Sequence, residues 1–358
     1  MLCENTPLTC YSRLIAIMAF SIINQKTATS FEATPSETLL AAALRQGHVF
    51  AYSCRSGSCG SCTARLLSGA IEPKEFSESA LSPAAQAAGT ILLCQARAQS
   101  DLVIEAQELP AGAAIEIRTL PCRVIELEKA CHDVMIMRLK LPQNQSFDYL
   151  AGQYVDILLR DGRRRSFSVA NAPAVDAELE LHVRRVPGGH FTGQVFEALK
   201  PRDLLRFRGP YGTFFLRDKP QLPAILVAGG TGLAPIKAML EQAFTESSRR
   251  AFHLFWGVRT RADLYLDREI QGWLEAHPNL NYTPVLSEQK EQNGWLGQTG
   301  WVHDAVLEAF PDLSRVEVYA SGPPPMIEAI RSAYPAHGLP EEQLYFDSFE
   351  FSQDYPET

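Results

Sequence analysis

The order of apolar and polar positions divides the chain into parts with different periodicities. In the first part, two partly alternating runs over residues 19–33 surround a polar turn and predict a β-hairpin. A short helix is predicted over Leu39–Arg45, and Ser82-Pro83 opens a second one. Residues 91–105 return to strand character. This mixture predicts a small α+β domain over residues 18–108.

The rest of the chain contains two further patterns. Segment 109–115 is an uncharged Pro/Gly/Ala passage that predicts a linker. Residues 116–218 contain short strands separated by turns and little helix pattern, which predicts an antiparallel β-barrel. From residue 219 to 358, apolar strands alternate with amphipathic helices, which predicts an α/β domain with a doubly wound parallel sheet.

The start of the chain allows two interpretations. The apolar run over residues 14–23 resembles the core of a signal peptide, but only Arg13 precedes it as a basic residue and no cleavage site follows directly. We favour the alternative, in which the first strand begins near Ala19 and residues 1–17 are an N-terminal extension. No apolar run approaches the ~20 residues of a membrane span. The sequence therefore predicts a cytoplasmic protein without a membrane partner.

Composition narrows the class of protein. The chain has 358 residues, of which 46% are hydrophobic and 21% charged, so it can build several cores and is not a disordered or fibrous protein. Its net charge is −8. Because phosphate binding needs a basic surface, a nucleic-acid partner is not expected.

Four of the eight cysteines are concentrated in one region. Cys54, Cys59 and Cys62 have the C-x4-C-x2-C spacing of plant-type [2Fe-2S] ferredoxins, and Cys94 follows as the fourth ligand. The residues between the first three are mostly Ser and Gly, which let backbone amides approach the sulfurs. A structural zinc site usually needs a second C-x2-C pair, and the chain has only one. A [2Fe-2S] cluster is the stronger prediction.

Other segments contain residue types suited to a nucleotide. In Arg165-Ser166-Phe167-Ser168, the arginine can hold a phosphate, the phenylalanine can pack on a ring and the last serine can reach a ring nitrogen. An ordinary exposed strand explains the same segment. Turn 188–192 has free amides that suit a pyrophosphate.

In the last part of the chain, Gly229-Gly230-Thr231-Gly232 joins a strand to a helix, where a diphosphate can approach the backbone. A second turn, Ser321-Gly322-Pro323, also follows a strand. Ligands of doubly wound sheets bind at the carboxyl ends of the strands, so both turns are expected on one edge.

Taken in order, these motifs resemble those of the ferredoxin–NADP reductase-like electron-transfer reductases that carry an N-terminal plant-type ferredoxin domain. The resemblance extends from about residue 18 to 351 and includes G-P-Y-G at 209–212. It implies a β-grasp ferredoxin domain, a flavin-binding barrel and a nucleotide-binding α/β domain. The implied activity is an NAD(P)H-dependent oxidoreductase that passes electrons through FAD and the [2Fe-2S] cluster to a partner protein.

The resemblance also implies roles for individual residues. It assigns Ser168 and Ser321 to the neighbourhood of hydride transfer, and Phe349 to a C-terminal segment that returns to the flavin. That segment can equally be a last core strand. The implied flavin contacts are Arg165, Ser166, Phe167, Ser168, Gly189, Phe191 and Thr192. The implied NAD(P)H contacts are Gly229, Gly230, Thr231, Gly232, Gly322 and Pro323.

The sequence departs from the family pattern at Ser321 and allows alternatives for the coenzyme and the electron acceptor. Family members commonly have cysteine where this chain has Ser321, so the hydride step is expected to be slower while binding survives. Arg259 or Arg261 can grip the 2′-phosphate of NADPH, although similar segments occur in NADH-using relatives, and we favour NADH. The electron acceptor is either a dehydrase of deoxysugar biosynthesis or a phenol, methane or aromatic-ring oxygenase component. A non-enzymatic ferredoxin carrier is the alternative from another class.

Overall fold

The computed structural model describes residues 19–110, 114–173, 178–288 and 294–349. The predicted extension 1–17 and part of the predicted linker lie outside these residues. The predicted boundaries at 108, 116 and 219 stay predictions. None of the described helices is long and apolar enough to cross a bilayer.

The first region is the predicted α+β unit. Its five-stranded sheet has the order β2-β1-β7-β3-β5, in which β1 and β7 are parallel, and β4 and β6 form a separate pair. Leu39 and Leu40 of the first helix are buried in the core that covers this sheet. The elements are β1 (Phe20–Asn24), β2 (Thr29–Ala33), α1 (Leu39–Arg45), β3 (Thr63–Ser68), β4 (Ile71–Pro73), α2 (Pro83–Ala87), β5 (Thr90–Leu92), β6 (Ala96–Ala98) and β7 (Leu102–Glu105).

The second region is an antiparallel sheet of order β11-β10-β13-β8-β9-β12, and a bridge between Val169 and Leu181 joins its two ends into a barrel. The elements are β8 (Arg118–Lys129), β9 (Val134–Lys140), β10 (Tyr154–Leu158), β11 (Arg164–Ser168), β12 (Glu178–Arg184), α3 (His190–Glu197) and β13 (Leu204–Tyr211). The segment 188–192, predicted as a turn suited to a pyrophosphate, is a turn only in part. Only the glycines at its start form a turn, and α3 begins directly after Gly189.

The third region is a parallel sheet of order β17-β16-β15-β14-β18-β19 with helices between its strands. The strand order reverses between β14 and β18, which is where doubly wound sheets bind ligands. The elements are β14 (Ala224–Gly229), α4 (Leu233–Thr245), β15 (Phe252–Val258), α5 (Asp267–Ala276), β16 (Leu280–Leu286), β17 (Gln298–Thr299), α6 (Val302–Ala309), β18 (Glu317–Gly322), α7 (Pro324–Ala333) and β19 (Leu344–Ser348).

Candidate functional site

The four predicted cluster ligands lie together. Cys54, Cys59 and Cys62 are on the loop between α1 and β3, and Cys94 lies between β5 and β6. Their thiols form two hydrogen-bonded pairs, Cys54 with Cys59 and Cys62 with Cys94. All but Cys54 are almost fully buried.

The thiols of each pair shift one another's pKa in opposite directions. The hydrogen bond from Cys59 lowers the pKa of Cys54 to about 5, and the same bond raises the pKa of Cys59 well above its ordinary value. In the second pair, the hydrogen bond between the thiols lowers the pKa of Cys94 and raises that of Cys62. In each pair, ionisation is therefore easier at one thiol than at its partner, and metal binding would displace the remaining protons.

The loop around these sulfurs provides amide donors. Ser56 N lies 3.4 Å from Cys54 Sγ, Ser61 N lies 3.5 Å from Cys59 Sγ, and Gln95 Nε2 lies 3.5 Å from Cys94 Sγ. Amide hydrogen bonds of this kind stabilise cluster thiolates and adjust their potential.

The loop also depends on a glycine. Gly60 has φ +77°, and a Cβ there would lie 2.6 Å from the carbonyl oxygen of Ala80. A side chain at this position would therefore push the loop away from its neighbour.

The grouping of the sulfurs distinguishes the two metals considered from the sequence. A tetrahedral zinc site with Zn–S bonds of about 2.3 Å would bring all four sulfurs within about 4 Å of one another. In the described residues, no three of these sulfurs lie within 4.8 Å of one another. Two pairs suit two irons, each held by two thiolates. The residues present therefore fit a [2Fe-2S] cluster better than zinc.

The predicted flavin segment lies on β11, whose side chains alternate between two faces. On one face, Phe167 packs against Phe191 of α3 with 5.6 Å between ring centroids. No side chain caps α3, so the amides of its first turn are suited to a phosphate. Thr192 Oγ1 accepts from Val186 N at 3.2 Å and donates to Gly189 O at 3.3 Å, so this residue braces the turn before the helix.

On the other face of β11, two serines contact buried carboxylates. Ser166 Oγ donates to Asp156 at 2.7 Å, and Ser168 Oγ donates to Asp347 at 3.3 Å. Asp347 also accepts from Ser53, the residue before the ligand Cys54. Burial raises the pKa of Asp347 to about 6, and the two serine hydrogen bonds offset part of that rise.

The two predicted dinucleotide turns lie side by side, as expected from their strands. A Cβ on Gly232 would lie 1.9 Å from the carbonyl oxygen of Ser321, so only glycine permits this contact. Ser321 is fully buried, and its hydroxyl has no hydrogen-bond partner within the described ranges. Such a hydroxyl fits a bound ring that would satisfy it. The turn at Gly230–Gly232 has no side-chain cap either, which leaves its amides suited to a diphosphate.

The C-terminal segment meets the second turn. Phe349 N donates to Gly322 O at 2.9 Å, and the preceding residues form the edge strand β19 beside β18. The segment up to Ser348 is therefore a last strand of the sheet, and the return of Phe349 to the flavin stays a prediction. Pro323 is the residue before α7, and Arg331 near the end of that helix donates to the carbonyl oxygen of Cys59 at 3.3 Å.

Three residues that join the predicted sites were not predicted from the sequence, namely Arg55, Asp156 and Asp347. Each is a single charged residue in a run that is otherwise small or apolar: Ser-Gly rich around Arg55, Y-V-D-I-L around Asp156 and Y-F-D-S-F around Asp347. An isolated charge in a predicted strand or ligand loop would have indicated these residues, because a charge that is buried there needs a partner.

Comparisons with known proteins agree with this arrangement. Three family models match the chain: a 2Fe-2S iron-sulfur cluster binding domain over residues 22–99, an oxidoreductase FAD-binding domain over 121–216 and an oxidoreductase NAD-binding domain over 226–332.

Whole-chain relatives contain the same set of regions. The CDP-6-deoxy-L-threo-D-glycero-4-hexulose-3-dehydrase reductase of Yersinia pseudotuberculosis serotype I (strain IP32953) is 41% identical over 89% of this chain and 95% of its own length. The propane 2-monooxygenase reductase component of Gordonia sp. (strain TY-5) is 34% identical over 89% of this chain and 93% of its own length. The crystal structure of the Amycolatopsis cytochrome P450 reductase has a TM-score of 0.77 at 32% identity, covering 92% of this chain and 98% of that one.

Proposed function

Since the chain belongs to the ferredoxin–NADP reductase-like reductases with an N-terminal plant-type ferredoxin domain, we propose that its electrons go from NADH to a dehydrase that acts on a CDP-linked deoxyhexulose. The chain is an NAD(P)H-dependent iron–sulfur flavoprotein oxidoreductase that uses FAD and a [2Fe-2S] cluster. This excludes the alternative of a ferredoxin carrier without enzymatic activity.

The chemistry itself belongs to the cofactors, which accept hydride and carry single electrons when bound. The protein holds and orients them. We assign Arg165 and Phe167 to the flavin phosphate and ring, and Ser168 to its reactive nitrogen. Because Ser168 donates its proton to Asp347, its lone pairs are available to an N–H of the ring. The pyrophosphate is assigned to the turn and first residues of α3, through Gly189, Phe191 and Thr192.

The two turns that follow β14 and β18 are assigned to the coenzyme. We assign Gly229, Gly230, Thr231 and Gly232 to its diphosphate, and Ser321, Gly322 and Pro323 to the nicotinamide, with Phe349 beside them. Arg259 lies 3.7 Å from Asp133 in an ion pair, which competes with a 2′-phosphate and supports NADH as the donor. We place the reaction in the cytoplasm, because the cluster needs cysteines that have not formed disulfides.

The observation that supports the choice of acceptor is the 41% identity over nearly the full length of the dehydrase reductase. Relatives that serve oxygenases are also similar along most of the chain, at 34% for the propane enzyme. An oxygenase component is therefore the alternative acceptor.

Reconstitution tests this proposal. The cofactor-loaded protein is mixed with the CDP-deoxyhexulose dehydrase or with oxygenase components, and NADH or NADPH oxidation coupled to product is measured. We expect NADH-driven turnover of the dehydrase only. In Cys59→Ser protein this turnover should fall to background while ferricyanide, which takes electrons from the flavin, is still reduced.

Cys131→Ser is the matched control, because Cys131 lies outside the cluster region and should not affect either activity. Turnover of the oxygenase instead of the dehydrase would replace the proposed acceptor with the alternative. Full dehydrase turnover by Cys59→Ser protein would contradict the route through the cluster.

A further inference from the structure

The ligand Cys54 is flanked by two residues that each connect the cluster loop to the flavin strand β11. On one side, Ser53 Oγ donates to Asp347, which also accepts from Ser168 Oγ. A carboxylate from the third region of the chain thus joins a residue of the first region to one of the second.

The connection on the other side of Cys54 has the same form. Arg55 Nη2 lies 2.5 Å from Asp156 Oδ2, and the other oxygen of Asp156 accepts from Ser166 Oγ at 2.7 Å. Ser166 and Ser168 are two residues apart, so they lie on the same face of β11. Both neighbours of one cluster ligand are therefore tied to one face of the strand that is assigned to the flavin.

Within the described residues, the Arg55 side chain makes its hydrogen bonds, ion pair and ring contacts with the barrel. Its guanidinium carbon lies 3.6 Å from the centroid of the Tyr211 ring, and its Nε donates to Tyr154 Oη at 2.8 Å. Both tyrosines belong to the barrel, and Tyr154 Oη donates in turn to Ser53 O at 2.5 Å. The planar guanidinium thus combines an ion pair, a hydrogen bond and a cation–π contact, all with the second region.

The Arg55–Asp156 ion pair is buried, and few other charges lie close enough to replace either partner. The Asp156 side chain is 1% exposed and the Arg55 side chain 13% exposed. The nearest other cation to Asp156 is Arg164, 3.8 Å away, within the residues that the structure describes. A buried ion pair contributes little net stability, because both charges lose their hydration. Removing one partner is costly, since the other charge is then buried without a counterion, and this cost fixes the position of each charge.

We propose that Arg55 and Asp156 are positioning residues for electron transfer from the flavin to the cluster. They hold Cys54 against β11 and thereby fix the distance between the two cofactors. This inference rests on the proposed function. The step moves one electron from reduced FAD to one ferric ion of the cluster, which becomes ferrous. The second electron follows after the acceptor has taken the first.

Substitutions on each side of the pair test the proposal in the cofactor-loaded protein. We expect Arg55→Met and Asp156→Asn to slow reduction of the cluster, followed by stopped-flow absorbance, by about 10- to 100-fold, since small displacements of reacting groups have effects of that size. NADH–ferricyanide turnover, which does not need the cluster, should stay near that of the wild type. Arg55→Lys keeps the charge without the planar fork and should be intermediate.

A second measurement does not depend on loaded cofactors. Hydrogen–deuterium exchange of residues 53–62 in the cofactor-free protein should increase in both variants. It should be unchanged in Arg45→Gln, which removes an exposed arginine of the same region. Cluster reduction in the double variant Arg55→Met/Asp156→Asn should be no slower than in the slower single variant, because each single change already removes the same ion pair.

The proposal would be overturned if Asp156→Asn protein, whose ferredoxin region is unaltered, reduced its cluster at the wild-type rate. That result remains decisive if Arg55→Met protein fails to assemble a cluster. Failure of the proposed function would differ, because the wild-type protein itself would then not transfer electrons from NADH to its dehydrase.

Discussion

On the cluster side of the barrel one buried arginine pairs with one buried carboxylate, whereas on the nucleotide side one buried lysine pairs with three carboxylates, two of which are partly exposed. Arg55 and Asp156 come from different regions, and each is the main charged partner of the other. Lys237 of α4 pairs with one carboxylate of the barrel and two of its own region. These are Glu180 at 3.1 Å, Glu241 at 2.5 Å and Glu269 at 3.7 Å.

The difference concerns what happens to each charge if the regions separate. Lys237 would keep Glu241 and Glu269, and Glu180 would keep His182 at 3.0 Å and Arg138 at 3.2 Å. Arg55 would lose its ion pair, its hydrogen bond to Tyr154 and its ring contact together. For these charges, separation therefore costs more on the cluster side than on the nucleotide side. This suits a cluster that must stay at a fixed distance and a coenzyme that must enter and leave.

The largest effect is expected from breaking the one-to-one pair. Asp156→Asn leaves the Arg55 charge buried without a counterion, which should lower the free energy of unfolding by about 3–5 kcal/mol. Urea denaturation followed by cluster absorbance measures this loss. Arg45→Gln, which breaks an exposed pair with Glu37, should cost less than about 1 kcal/mol. Equal losses in the two variants would mean that the Arg55–Asp156 pair matters no more to stability than an exposed pair.

A smaller effect is expected from the isosteric change on the nucleotide side. Glu241→Gln removes one of three carboxylates around Lys237, and the loss of one charge-assisted hydrogen bond should cost about 1–2 kcal/mol. Denaturation followed by tryptophan fluorescence measures it, since Trp256 is in the core that α4 covers. A loss as large as that of Asp156→Asn would mean that Glu180 and Glu269 do not compensate.

The smallest effect is a difference in pH dependence. Because the pKa of Asp347 is raised to about 6, the folded protein takes up its proton before the unfolded chain does. Its contribution to stability is thus present at low pH and is lost as the pH rises through 6. Between pH 7 and pH 5 the wild type should gain about 1 kcal/mol relative to Asp347→Asn, measured as unfolding free energies at both values.

Glu180 on the nucleotide side should not contribute over this range. Burial would raise the pKa of Glu180, but the hydrogen bond with His182 and the charge of Lys237 outweigh it and lower the value to about 2. Its stabilisation is present above its unfolded pKa and is lost only as the pH falls through about 2. A carboxyl-carbon NMR titration of Glu180 in the wild type should show no midpoint between pH 7 and pH 5, and a midpoint in that range would contradict this assignment.

Features that depend on neighbouring residues in the chain could be predicted from the sequence. Cysteine spacing, glycine turns after apolar strands and the change of periodicity all act over a few residues. They led to the fold class and the [2Fe-2S] cluster, whereas FAD followed from the resemblance to the reductase family. Helix α3 was missed because it is eight residues long and contains Gly193, whose low helix propensity hides the pattern.

The connecting carboxylates were missed for a different reason. Asp156 and Asp347 obtain their partners from other regions, 101 and 294 residues away in the chain. No local pattern reports such a contact. Only the isolated charge in an apolar strand marks these residues, and it does not say which residue pairs with them.

The position of Asp347 in the chain has a consequence for biosynthesis. Ser53 is translated 294 residues before Asp347, whose carboxylate accepts its hydrogen bond, so β19 leaves the ribosome after the ferredoxin and barrel regions. Domains generally fold in order during synthesis, so the ferredoxin and barrel regions can be complete while this carboxylate is still missing. A product truncated before Leu344 would retain all four cysteines and β11 but could not join Ser53 to Ser168.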